Sequence, residues 1–527
     1  MQSTPARDAS RGRSLCVVGK RLARGWDRFL VELNGRFSIQ RIENMREYCR
    51  QTSLLRVLLV WLSTPVPALL VIILFDCIPL ASPNAGTLEN YVFWIRLIPI
   101  VFILVSGPVE HFRCCLPTLP MTNFQLVLVG LAGSVPGVAL GFAVSFLIGF
   151  PVPFNFVIES IAIFPAMVLA LRMLWRQTLR ESAALQADLR RQIFVLFGQA
   201  SITYIYPLYF FAFVSMPPMA QSAFTLLLPL IKLGIKNYFS STLQQLDDLK
   251  PAFVVFNVDV FSALYVANCL QASQSRLNTV LVCLMDITQL AVSFYDLRVV
   301  MTEIRSLVRV HQFDGSLLDL CAIASKSTGV REELDRRNSS LRTVSGKNVR
   351  GSRIVVPSSA NAATSPSVVA INEALVAAGL DPNDVVQLVH KTAKILYMIE
   401  FLLLIEFAEV MIPVIYCIYM VAMSHLPNRE FYPQLAALTS TELLHSITTV
   451  TLNAGLEFMS FIFVIWLVPR EFKLSGPRLL AFALESHKSL VHSSLVIWTL
   501  YVILQPLTHS GVDFSLRFAW LRSKTGG

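Results

Sequence analysis

Charged side chains are scarce in this chain. Only 15% of its 527 residues are Asp, Glu, Lys or Arg, whereas 54% are hydrophobic. Soluble domains carry about 25% charged residues. A water-soluble fold of this size has no place to bury so much apolar surface, because much of a globular protein must face water. The composition therefore excludes a soluble protein and predicts an integral membrane protein.

Several catalytic and ligand-binding motifs are also missing. The sequence has no GxxxxGK[ST], GxGxxG, HExxH or GxSxG motif, and its nine cysteines include no CxxC pair. An ATP-driven pump with its own nucleotide site, a zinc site and a disulfide framework are therefore not expected. Since no spacing places a nucleophile beside a base, we expect no enzyme activity, cofactor or metal.

Apolar windows of about 20 residues are long enough to cross a bilayer as helices. They predict an all-α polytopic bundle of about eleven spans, with ten as the alternative. The windows are 54–76, 91–107, 124–149, 152–174, 193–216, 219–236, 252–271, 278–298, 395–424, 441–468 and 489–507. They divide the chain into an N-terminal segment (1–53), a first bundle (54–301), a polar loop (302–394), a second bundle (395–507) and a tail (508–527).

The net charge of +10 comes from basic residues in the segments between the windows. If the N-terminus is cytoplasmic and the spans alternate, most of the 44 Lys and Arg fall on the cytoplasmic side, as the positive-inside rule requires. This distribution favours a lipid partner and gives no indication of nucleic acid binding.

Three cytoplasmic features are predicted outside the spans. Residues 15–33 form an amphipathic helix, which lies either in the membrane interface or on the ends of the bundle. The middle of the 302–394 loop, from 338 to 367, is expected to be disordered, and the loop is a candidate site for a cytoplasmic partner or kinase. Candidate modification sites are Ser339 and Ser345 for phosphorylation, and Cys114 and Cys115, beyond the second window, for palmitoylation.

Two windows carry continuous polar stripes, one on 278–298 and one on 441–468. A stripe of several turns cannot face lipid, so each must face protein or water. Either the stripes line a pathway for an ion or polar solute, or they hydrogen-bond to each other between helices. The stripe residues singled out are Asp286, Gln289, Ser293, Asp296, Glu442, His445, Thr449, Asn453 and Glu457.

Other polar residues lie singly within the windows. Arg96 is a candidate partner for one of the isolated acids Asp76, Glu159 and Asp259. Glu406 and Glu409, three residues apart, form a candidate proton or cation site, or else pair with neighbouring helices. On the third window, Gly133, Gly137 and Gly141 form two overlapping GxxxG steps, which favour close helix packing.

The stretch 256–297 contains Phe-Asn-Val-Asp-Val-Phe-Ser-Ala-Leu-Tyr (256–265), Asn-Cys-Leu-Gln (268–271), Asp-Ile-Thr-Gln (286–289) and Phe-Tyr-Asp-Leu (294–297). Together with the long polar loop followed by a few last spans, it resembles a class of uncharacterised polytopic membrane proteins of oomycetes. The resemblance implies the topology and no activity.

The sequence thus leads to two functional hypotheses. The first is a gradient-driven transporter or channel for a small polar solute or ion. In it the stripe acids bind a cation or relay a proton, the amides and hydroxyls hold the solute, and His445 titrates near neutral pH. The second is a non-transporting scaffold or receptor that uses the 302–394 loop to recruit its partner.

Overall fold

The structure is a computed structural model, and it describes residues 31–116, 119, 121–181, 183–244, 246–272, 276–307, 318, 382–436, 438–516 and 518. Within these ranges the chain is helical and contains no strand. Most of the predicted 15–33 helix, the 338–367 segment, Ser339 and Ser345 lie outside the described residues.

The helices are numbered here in chain order. They are α1 (Ile39–Gln51), α2 (Leu54–Ser63), α3 (Val66–Asp76), α4 (Tyr91–Cys115), α5 (Asn123–Ile148), α6 (Asn155–Leu174), α7 (Arg176–Glu181), α8 (Ala183–Val214), α9 (Pro218–Thr225), α10 (Leu227–Thr242), α11 (Lys250–Val254), α12 (Val260–Ala272), α13 (Arg276–Leu307), α14 (Pro382–Ser424), α15 (Pro433–Ala436), α16 (Ser440–Phe472), α17 (Gly476–Ser486) and α18 (Lys488–Leu504). A π-helical turn, Val255–Asp259, joins α11 to α12.

Ten helical stretches within the described residues are long and apolar enough to cross a membrane. They are Leu54–Asp76, Tyr91–Cys115, Asn123–Ile148, Asn155–Leu174, Leu185–Val214, Pro218–Thr242, Lys250–Ala272, Val280–Ser306, Val386–Ser424 and Ser440–Phe472. The eleventh predicted window corresponds to α18, an apolar helix of 17 residues. The chain is an integral, multi-pass membrane protein with an all-α fold.

Several helices extend beyond the apolar windows. The second window was predicted to end at residue 107, but α4 continues to Cys115, so Cys114 and Cys115 lie on the helix rather than after it. Cys115 is buried, and the half-buried Cys114 thiol contacts Glu110. The helix α14 begins at Pro382, before the 395–424 window, and is unbroken over 43 residues. Polar residues end a hydropathy window without ending a helix.

The middle of the bundle is formed by the stretch from α11 to α12. Its most apolar window is 89% buried within the protein, a higher fraction than in any other described membrane-spanning stretch. It packs against α8, α14, α16 and α18, so helices from both the early and the late part of the chain surround it. Because protein surrounds this stretch, polar side chains on it do not face lipid.

The three glycines at GxxxG spacing lie where α5 packs between α4 and α6. A Cβ at Gly133 would lie 3.0 Å from Val105 Cγ1, and one at Gly137 would lie 2.5 Å from Ile163 Cγ1. A Cβ at Gly141 would lie 2.7 Å from the Asn155 side-chain oxygen. The absence of side chains at these positions is what allows the helices to approach closely.

Gly137→Ala is expected to lower the free energy of unfolding by about 1–3 kcal/mol, because the new methyl overlaps Ile163 in a packed interface. Gly455 on α16 is a matched control, since a Cβ there meets no atom within 4 Å. Gly455→Ala should be neutral or stabilising, as expected for Gly replaced by Ala in a helix. Unfolding in detergent would measure both; equal loss in the two variants would contradict the packing argument.

A buried ion pair joins α3 to α4. Arg96 Nη2 lies 2.7 Å from Asp76 Oδ1, and both side chains are almost fully buried. Tyr419 and Tyr432 donate hydrogen bonds to the same carboxylate at 3.1 and 3.0 Å. The prediction that Arg96 pairs with one of the isolated acids is confirmed, with Asp76 as the partner. The carboxylate ties four separate segments of the chain together.

Candidate functional site

A cavity of about 600 Å³ lies beside the central helix, in the range typical of ligand sites. Segments from α10, α12, α13, α14 and α16 form its walls. Most of the wall is apolar, with residues such as Leu228, Leu233, Val266, Leu270, Leu281, Met285, Val292, Met398, Leu402 and Ile405. Few charged and polar side chains interrupt this apolar wall, and their positions define the polar part of the cavity.

The π-helical turn Val255–Asp259 ends with the most buried acid of the cavity. Asp259 is only 1% exposed. Turns of this type interrupt the regular α-helical hydrogen bonding and occur often at functional sites. In this helix the turn lies near the middle of a membrane-spanning stretch, at the position where the cavity meets the central helix.

Five charged side chains form a row of alternating sign through the site. Asp259 Oδ1 lies 2.9 Å from Lys236 Nζ and 2.8 Å from Lys232 Nζ. Lys236 Nζ is also 3.0 Å from Glu32 Oε1, just before α1, and Lys232 Nζ is 3.2 Å from Glu409 Oε1 on α14. We call these five residues the charged row. It joins the N-terminal segment, α10, the π turn and α14.

The charged row is built so that each buried charge has an opposite neighbour. Ions removed from water require such compensation, because an unpaired charge in a low-dielectric interior is costly. With two lysines and three carboxylates, the row carries one more negative than positive group. Asp259 Oδ2 has no hydrogen-bond donor among the described residues, so one carboxylate oxygen remains free to accept.

Two further carboxyl groups line the cavity, Asp286 on α13 and Glu457 on α16. We call these two residues the carboxyl pair. Their negative charges act on each other, and like charges in a buried site favour a proton on one of the two groups.

The structure brings together six of the nine stripe residues predicted from the sequence. Gln289, Ser293 and Asp296 on α13 and Asn453 on α16 line the cavity together with the carboxyl pair. The Cys283 thiol contacts Asn453 Oδ1 at 3.4 Å, which links the two helices directly. Residues of both stripes therefore line one cavity, and the two helices that carry them are also in contact.

The remaining three stripe residues lie near the start of α16 and do not line this cavity. Glu442 forms a capping box with Thr439 at the N-terminus of the helix. Thr449 donates its hydroxyl hydrogen to the backbone oxygen of His445 at 3.0 Å. The exposed Glu442 and His445 are thus separated from the site formed by Asp286 and Glu457.

Glu406 and Glu409, one helical turn apart on α14, contact different partners. Ser460 donates a hydrogen bond to Glu406 at 2.7 Å, whereas Glu409 contacts Lys232. The two acids therefore pair with neighbouring helices, which was one of the two sequence-based expectations. Glu159 lies apart from them, beside a smaller cavity of about 210 Å³, and accepts a hydrogen bond from Asn155 at 2.6 Å.

Sequence reasoning missed Lys232, Lys236 and Glu32 as members of the site. The two lysines lie at the end of the 219–236 window and were counted with the basic residues on the cytoplasmic side of the membrane. In the structure, α10 continues to Thr242, so both lysines lie within the membrane-spanning stretch. Their spacing of four residues on an apolar helix was the available signal, because it places both ammonium groups on one face.

The segment around α1 packs across one end of the bundle. Arg41 Nη2 lies 2.6 Å from Glu400 Oε1 in a buried ion pair, and Arg41 Nη1 lies 2.9 Å from His487 Nε2. The backbone oxygen of Asp248 is 3.0 Å from the same His487 nitrogen. Burial and the adjacent Arg41 charge lower the pKa of His487 to about 3.

Because its pKa is lower in the folded chain, His487 makes folding pH-dependent. Below the ordinary histidine pKa of about 6.5, the unfolded chain binds a proton that the folded site excludes. Stability should therefore fall as pH drops from about 6.5 toward 3. We expect the free energy of unfolding of His487→Gln to fall by about 2 kcal/mol less than that of the wild type between pH 7 and pH 5. Chemical unfolding at both pH values measures this difference; parallel curves would contradict it.

No protein-family model matches the chain, and no curated protein or solved structure does either. The function must therefore be inferred from the geometry of the cavity, the charged row and the carboxyl pair.

Proposed function

We propose that this protein is a gradient-driven transporter of a small solute or ion, and that the cavity beside Asp259 is its binding site. The observation that carries the proposal is a cavity within the membrane-spanning bundle whose charged groups come from five separate spans. Intramembrane ionisable residues are costly, and in known membrane proteins they mark ion, proton and substrate pathways. Carriers generally place their sites near the middle of the bilayer.

The charge balance of the cavity favours a cation as the driving ion. Six carboxyl groups line it, and two lysines oppose them: Glu32, Asp259, Asp286, Asp296, Glu409 and Glu457 against Lys232 and Lys236. Among the described residues, no three His, Cys, Asp or Glu side chains converge to hold a metal ion. A proton on the carboxyl pair therefore fits the site better than a metal ion.

The charged row and the carboxyl pair are electrostatically linked through Lys232. This lysine contacts Asp259 and Glu409 directly and also interacts with the Asp286 charge. Loading a proton on the pair removes a negative charge near Lys232 and weakens its attraction to α13. In our proposal this step couples occupancy of the site to a change in helix packing, which a carrier requires.

Proton flux into proteoliposomes tests the proposal. The purified full chain, reconstituted with a pH-sensitive dye inside the vesicles, should acidify the lumen when a proton gradient and membrane potential are imposed. Glu457→Gln should reduce this flux at least tenfold, because an amide cannot exchange the proton. Glu442→Gln is the matched control on the same helix, since it lies outside the cavity and preserves the capping residue type.

Water access is a second readout. In a chain without other cysteines, Ser293→Cys should react with a membrane-impermeant thiol reagent, because Ser293 lines the cavity. Ile287→Cys on the lipid-exposed face of α13 should not react. Protection of both positions together with absent flux would contradict the transporter. It would favour the scaffold hypothesis, in which the 302–394 loop binds the partner.

A further inference from the structure

We propose that the cavity binds a small amphipathic organic amine, with the ammonium group at the carboxyl pair and the apolar body against the leucine-rich wall. This inference rests on the transport function proposed above and names the class of its substrate. Three observations carry it. They are the mostly apolar composition of the cavity wall, the unpartnered oxygen of Asp259, and the opening of the cavity to the outer surface of the bundle beside α13.

The composition of the cavity matches a molecule with one polar end. Acidic side chains cluster where α12, α13 and α16 approach each other, and apolar residues from α10, α12, α13 and α14 form the rest. A fully polar solute such as a sugar would leave this apolar wall without a partner. An anion would lie against carboxylates that outnumber the lysines, and like charges in such a site repel.

Hydrogen-bond capacity favours an amine over other cations. A primary ammonium carries three N–H donors, and the cavity offers carboxylate acceptors on different helices. Two belong to the carboxyl pair, where the ammonium would take the place of a proton. Asp259 Oδ2, which is buried and has no donor among the described residues, is a third acceptor on a residue that lines the same cavity.

The cavity reaches the outer surface of the bundle between α9 and α10 on one side and α13 on the other. Leu226 and Leu284 both line it, yet they are 52% and 53% exposed. In a membrane protein that surface faces lipid acyl chains. An amphipathic amine concentrates in the bilayer interface, so a site that opens laterally receives it without passage through bulk water.

The probe is 2-phenylethylamine, compared with 2-phenylethanol, which has the same body without the charge. Binding to the full chain in lipid nanodiscs would be followed by the shift in thermal unfolding midpoint at neutral pH. We expect the amine to raise the midpoint in a saturable manner and the alcohol to bind at least tenfold more weakly. Asp286→Asn and Glu457→Gln should each weaken amine binding at least tenfold, while Glu442→Gln should leave it unchanged.

The outcomes separate this inference from the transport function. Equal binding of amine and alcohol, or equal weakening by Glu442→Gln and Glu457→Gln, would overturn the amine site. If proton flux depends on Glu457 but no amine binds, the transporter stands and the amine inference fails. If neither flux nor binding is observed in the folded wild type, both fail. If Asp286→Asn does not fold, Glu457→Gln alone decides, since it removes the other half of the pair.

Discussion

Asp259→Asn is expected to have the largest effect of any single substitution in the site. It should lower the free energy of unfolding by about 3–5 kcal/mol, as removal of one partner from a buried ion pair does. The reason is that Asp259 lies 2.8 and 2.9 Å from Lys232 and Lys236, so the amide removes the fully buried carboxylate between the two lysines. Each lysine is left with a single partner that is less buried, Glu409 or Glu32. Denaturant unfolding in detergent measures the loss.

The control for this prediction is Asp247→Asn. Asp247 also pairs with a lysine, Lys250, but its side chain is partly exposed at the end of the bundle. Its loss should cost less than that of Asp259, because the Asp247 carboxylate is 31% exposed and only one lysine loses its partner. The double variant Asp259→Asn/Lys236→Gln should recover part of the stability. If Asp259→Asn lowers the free energy of unfolding by no more than Asp247→Asn does, the charged row does not stabilise the fold as described.

The second large effect is expected at the buried pair between α3 and α4. Asp76→Asn should also cost about 3–5 kcal/mol, because Arg96 is left charged and buried without its carboxylate. Tyr419 and Tyr432 donate to different oxygens of the carboxylate, so the single oxygen of the amide keeps one of these hydrogen bonds, and the loss reports on the charge together with the other. The thermal unfolding midpoint and the yield of folded protein are the measurements.

An exposed ion pair provides the comparison for Asp76. Arg56 and Glu485 lie 3.0 Å apart, with the arginine side chain 61% exposed, so Arg56→Gln should change stability by less than about 1 kcal/mol. The double variant Asp76→Asn/Arg96→Met should be more stable than Asp76→Asn alone, since it removes the uncompensated charge. A double variant that is less stable than the single one would contradict this account.

The membrane-spanning helices were predictable because bilayer thickness imposes a length that hydropathy detects directly. All eleven apolar windows correspond to helices. The ends were less predictable, because a helix continues wherever backbone hydrogen bonding continues. Thus α4 reaches Cys115 and α10 reaches Thr242, through residues that end the apolar window. Packing of α1 and α17 across one end of the bundle has no hydropathy signal at all.

The site was predictable only in part, for a related reason. Helical periodicity identifies which face of a helix is polar, so Asp286 and Glu457 could be found. It does not identify which faces meet, and therefore His445 was grouped with residues that lie deeper along the same stripe. Asp259 looked isolated because its lysine partners lie on another helix, in a stretch where charge counting treats Lys as a marker of the membrane edge.

The length of α14 has a mechanical consequence. Its 43 residues span about 65 Å at 1.5 Å per residue, roughly twice the hydrocarbon thickness of a bilayer. No proline interrupts it between Pro382 and Glu409, and Pro413 comes only afterwards. The part of α14 from Pro382 to Glu409 is therefore a stiff rod about 40 Å long. A tilt imposed where the polar loop joins α14 is therefore transmitted along the helix to Glu409, the acid that contacts Lys232.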